Sequence, residues 1–92
     1  MNEPEYIRAH KHSIRNRVEI LASDHCGCFF CLAVFSPNAI ERWVNEMDSS
    51  QTALCPKCGI DSVIGSLSDF PINEEFLTQM ELHWFGMRSC EQ

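Results

Sequence analysis

No apolar run in the sequence approaches the roughly 20 residues that span a bilayer. The opening stretch, MNEPEYIRAHKHSIRNR, is polar and charged and lacks the apolar centre of a secretory signal. Neither membrane insertion nor export is expected, and the chain reads as cytoplasmic. Internal repeats and low-complexity tracts are absent, so a single domain over residues 1–92 is expected. Positive charge is scarce: 7 Lys and Arg stand against 13 Asp and Glu. Residues 32–92 hold three of the basic and nine of the acidic side chains. An acidic body repels nucleic acid at long range. Any such contact would fall to the N-terminal cations Arg8, Lys11, Arg15 and Arg17.

Cysteine is what the chain has in plenty, 6 in 92 residues. A domain of this size buries a thin core and often needs a staple. In a reducing compartment that staple is a metal site more often than a disulfide. CFFC (Cys28 to Cys31) and CPKCG (Cys55 to Gly59) each hold a C-x-x-C pair. Two such turns can aim four sulfurs at one tetrahedral ion, with backbone N–H groups facing the thiolates. The expected ligands are Cys28, Cys31, Cys55 and Cys58, and the expected ion is zinc. Iron also fits four cysteines, although Leu32 stands where the second knuckle has Gly59. A thioredoxin-like role for CFFC would need a βαβ setting, which the sequence lacks.

His25 and Cys26, in SDHCGCFFC, exceed the set. Cys26 reads as a spare thiol, as a ligand replacing Cys28, or, with His25, as an exchangeable or redox-active partner of the metal. Cys90 reads as a lone thiol. Phe29 and Phe30 are expected to shield the ion, at least one of them in the core. Trp43, Trp84, His10 and His83 are read as packed side chains rather than binding groups.

The elements expected are three helices and a short β-hairpin, an α+β, mostly helical fold around the two-knuckle site. The first helix covers residues 1–23, with Asn2 and Glu5 as a capping box. Ile7, Ile14, Val18 and Leu21 form its apolar face. The knuckle core covers 24–65. It contains a helix over 36–48 that Ser36 caps, with Pro37 at its first position and Ile40, Trp43, Val44 and Met47 as a stripe. Gly27 is expected in a tight turn. LAVF is expected as a short strand, and the arms around CPKCG as two short strands with a turn between them. Asn73 caps a third helix over 73–87.

The blocks SDHCGCFFCLAVFSPNAIERW and TALCPKCGIDSVIG, with FLTQMELHWF more weakly, cover about half of the chain. On them the sequence resembles a family of small bacterial cytoplasmic proteins with paired zinc-ribbon-like C-x-x-C knuckles. The family pattern includes both Cys26 and Cys28, which implies that Cys26 is retained for a reason. The resemblance implies a metal-bearing cytosolic protein and brings no activity with it.

Catalysis is not expected. Four cysteines close a metal's coordination shell, and CPKCGIDSVIGSLSDF holds no histidine of the kind a metal-dependent nuclease would require after its knuckle, His83 being isolated. The leading expectation is a zinc-stapled interaction or regulatory module with a protein partner, or a homodimer. A nucleic-acid module using the basic N-terminal segment is the alternative. A redox-sensing thiol protein and an acidic inhibitor follow behind it.

Overall fold

A computed structural model describes residues 4–86. The N-terminal segment is not one helix. An α-turn, α1 (Glu5–Arg8), runs into a 3-10 turn over Ala9–Ser13, and α2 (Arg17–Ala22) starts afresh. The break falls at Arg15, whose φ of 53° is left-handed. The Arg15 N–H donates to the buried Thr52 hydroxyl at 2.7 Å. Asn16 then fixes the new direction from the interior. Its Nδ2 donates to the carbonyls of His12 and Val63 at 2.9 and 2.8 Å, and its Oδ1 accepts from the Ala53 N–H at 3.0 Å. The expected capping residue Asn2 lies outside the described residues.

Five short strands follow: β1 (Cys26–Cys28), β2 (Val34–Phe35), β3 (Trp43–Asn45), β4 (Gln51–Ala53) and β5 (Val63–Gly65). They form an antiparallel sheet in the order β2-β1-β5 and a separate hairpin, β3-β4. The expected helix over 36–48 is therefore corrected. Ser36 does cap a turn, accepting from the Asn38 N–H at 3.2 Å, but that turn is a 3-10 segment ending at Ala39. Ile40 is already extended. The hairpin turn is closed by Asp48, which accepts from the Ser50 N–H at 3.1 Å, and by Ser49 at φ 76°. The arms around CPKCG also differ from expectation, because β4 pairs with β3 and β5 with β1 rather than with each other. The α+β class holds. The helical predominance does not, since β3 occupies ground that the helix over 36–48 was to fill and the N-terminal helix is broken in two.

The sheet's period-two alternation builds two cores. Cys26, Cys28 and Val63 turn to one face, where they join Ile20, Phe35, Ile40, Ala53 and Cys55. Ile64 turns to the other, with Ala9, Phe29, Phe76, Leu77 and Met80. Gly27 faces that second side from β1, not from a turn. A Cβ there would meet Leu77 Cδ1 at 2.8 Å and Ile72 Cγ2 at 2.9 Å. Glycine is therefore needed for close approach and not for φ. The helix that approaches is α3 (Glu74–Phe85), capped as expected by Asn73, whose Oδ1 accepts from the Phe76 N–H at 2.8 Å. Its expected end at 87 lies outside the described residues.

Asn16→Leu is expected to lower unfolding free energy by about 3 kcal/mol. The substitution leaves the Ala53 N–H and the Val63 carbonyl buried without their partner. Denaturant melting reads the change, and a loss under about 1 kcal/mol would contradict the bridging role given to Asn16.

Candidate metal centre

The two knuckles are built alike, residue for residue. In the first, the Cys28 N–H donates to the Ala33 carbonyl and the Leu32 N–H to the Cys28 carbonyl, both at 2.9 Å. In the second, the Cys55 N–H donates to the Ile60 carbonyl and the Gly59 N–H to the Cys55 carbonyl, again at 2.9 Å. Each turn thus folds its first sulfur under its own backbone. Phe30 and Cys31 direct N–H groups at Cys28 Sγ at 3.3 and 3.5 Å. Lys57 and Cys58 do the same for Cys55 Sγ at 3.3 and 3.4 Å. The turn needs a left-handed residue after its second cysteine. Gly59 supplies it at φ 80°, and Leu32 adopts it at φ 67° although a leucine is strained there. The missing glycine of the first knuckle therefore does not change the turn.

The four sulfurs of Cys28, Cys31, Cys55 and Cys58 lie within 4.8 Å of one another. The pairs Cys28–Cys58 and Cys31–Cys55 stand 3.6 and 3.7 Å apart. A disulfide needs about 2.05 Å. Four sulfurs about 2.3 Å from one tetrahedral zinc ion stand about 3.8 Å from each other. The donor set and its spacing therefore fit a structural zinc site, and Cys28, Cys31, Cys55 and Cys58 are the residues that would hold the ion. Cys28 and Cys55 are buried, Cys58 is half-buried and Cys31 is exposed.

Burial, reinforced by neighbouring sulfurs, pushes the Cys31 and Cys58 thiols above their ordinary range. At Cys55 burial also acts upward, but the N–H groups of Cys58 and Lys57 outweigh it and the thiol lies below its ordinary range. The Ser62 hydroxyl, 2 % exposed, lies 3.0 Å from Cys28 Sγ and can donate to it as a thiolate. No local signal in the sequence marks Ser62 as a sulfur partner.

Cys26 and His25 fall outside the cluster. Cys26 is fully buried beside Ile20 and Phe35, and burial pushes its thiol up to about 12. His25 is exposed, and its carbonyl accepts from the Ser66 N–H. Cys90 lies outside the described residues. Phe29 is buried and Phe30 half-buried, and both rings meet Phe85 of α3, at 5.9 and 4.8 Å. His10 is packed between Phe29 and Trp84, and burial lowers its pKa.

Three of the four N-terminal cations have partners within the chain. Arg8 lies over Phe70 at 5.5 Å, Arg15 pairs with Asp48 at 3.2 Å, and Arg17 stacks on Trp43 at 4.6 Å. Arg17 also donates to Gln51. Lys11 is exposed. Among the described residues no helix is long and apolar enough to cross a membrane.

Two substitutions separate the roles of the adjacent cysteines. Cys28→Ala is expected to abolish stoichiometric metal binding, whereas Cys26→Ala keeps one ion per chain and costs about 1 kcal/mol of stability from a small core void. Elemental analysis of the two purified variants checks this, and metal loss in Cys26→Ala would make Cys26 a ligand. Comparison with protein-family models, with curated proteins and with solved structures gives no match for the chain.

Proposed function

We propose that the chain is a small cytoplasmic, non-catalytic interaction module stapled by one zinc ion. The observation that carries this reading is the four-sulfur cluster drawn from two matched knuckles. Zinc bound by four thiolates has no open position for water or substrate, so its contribution is to folding rather than to chemistry. Apparent binding free energies of such sites are on the order of 10 kcal/mol. A fold of two- and three-residue strands and short helices has few other sources of comparable size. The engaged state of Arg8, Arg15 and Arg17 supports a protein partner over a nucleic acid.

Metal removal by a strong chelator is expected to unfold the domain, and readdition of zinc to refold it. Far-UV circular dichroism reads both steps, and an unchanged spectrum from metal-free protein would sink the structural role. The protons held at Cys31 and Cys58 must leave before sulfur can bind metal. Zinc affinity, measured by competition with a chromophoric chelator, is therefore expected to weaken steadily as pH falls below neutral.

A further inference from the structure

A buried hydroxyl must find an acceptor. Ser62, 2 % exposed, stands one residue before β5, and its Oγ lies 3.0 Å from Cys28 Sγ. A neutral thiol is a weak acceptor. A metal-bound cysteine is ionised, and a hydrogen bond to an ionised acceptor is about twice as strong as a neutral one. The contact between Ser62 and Cys28 is therefore strongest when the site is filled.

The backbone fixes the position of this hydroxyl. The Phe29 N–H donates to the Ser62 carbonyl at 2.9 Å. Val63, the next residue, pairs with Cys28 in the register of β1 and β5. Two residues earlier, the Ile60 carbonyl closes the second knuckle by accepting from the Cys55 N–H. The segment from Ile60 to Ser62 thus touches both halves of the centre. The knuckles themselves match, each aiming two N–H groups at its first sulfur. Ser62 breaks that match, because it gives Cys28 a hydroxyl donor that Cys55 lacks among the described residues.

We propose that Ser62 is a positioning residue of the metal centre, its hydroxyl donating to the bound Cys28 thiolate and holding that sulfur against the start of β5. The inference rests on a metal filling the four-cysteine site. It goes further in making the centre asymmetric, with one sulfur braced from inside the fold by a side chain that binds no metal itself. Groups that hydrogen-bond to metal ligands orient them, and losing one costs roughly 10–100-fold in metal affinity.

The full chain carrying Ser62→Ala tests this beside a control. Ser68→Ala removes another buried hydroxyl, one that donates to the Gly65 carbonyl at 2.7 Å rather than to a sulfur. Two readouts are needed. Zinc affinity, by competition with a chromophoric chelator, is expected to fall roughly 10–100-fold in Ser62→Ala and to hold in Ser68→Ala. Zinc is d¹⁰ and colourless, so the second readout is the sulfur-to-metal charge-transfer band of cobalt-loaded protein. A hydrogen bond draws charge from sulfur and raises the energy of that transition. The band is therefore expected to move to longer wavelength in Ser62→Ala and to stay in place in Ser68→Ala. Metal binding with wild-type affinity and an unmoved band in Ser62→Ala overturns the proposal and leaves the metal reading standing. Weaker affinity with an unmoved band also overturns it, because a general loss of stability would do the same. A wild type that takes up neither zinc nor cobalt overturns both readings together.

Discussion

Four sulfurs held within 4.8 Å of one another cannot all ionise unless a cation lies among them. That mutual repulsion, which a cation held among the sulfurs would relieve, is the constraint on which the rest of the structure depends. The first knuckle is the connection between β1 and β2, and the second separates β4 from β5. Drawing the two together fixes where the three-stranded sheet and the β3-β4 hairpin meet. It also sets Phe29 and Phe30 against Phe85, so the end of α3 rests on the ligand loop itself.

The second fixed point is polar and lies away from the sulfurs. Asn16 joins the start of α2 to β4 and β5 through two buried hydrogen bonds and reaches back to the His12 carbonyl with a third. An amide buried with its donors and acceptor paired specifies geometry more strictly than an aliphatic contact does, because a shifted register would leave those groups unpaired. The outward turn of the aliphatic face of α2, with Val18 and Leu21 exposed, follows from this attachment. The same residue that anchors the helix prevents its most periodic side chains from entering the core.

What the sequence shows of this arrangement depends on how far its signals reach. The paired C-x-x-C turns are readable because the geometry of each is local and its partner is of the same type. Asn73 and the helix after it are readable for the same reason, since a cap and its N–H lie three residues apart. The segment from Ile40 to Met47 misleads because its apolar residues fall at helical spacing. Yet Ile40 is buried, Val44 is 39 % exposed and Met47 is fully exposed. No helical face is being covered there. Trp43, Val44 and Asn45 pair instead with Gln51, Thr52 and Ala53, and the turn chemistry of Asp48 and Ser49 wins over periodicity. The break at Arg15 is less legible still. Its causes, Thr52 and Asn16, act across 37 or more residues of chain or through buried amides. The placement of Cys26 depends on strand alternation in a three-residue β1, too short to be read from pattern alone.

The two knuckles are equal in their hydrogen bonds but not in their backbone comfort. Gly59 takes its left-handed position freely, whereas Leu32 holds the equivalent position at a cost of about 1–2 kcal/mol. Cys31, exposed where the other three of the group are buried or half-buried, belongs to the same strained turn. The centre therefore has a direction built into it. When it opens, the relief of strain and the access of water both favour release of the first knuckle. With a metal bound, the second knuckle would be the one to keep its grip longer.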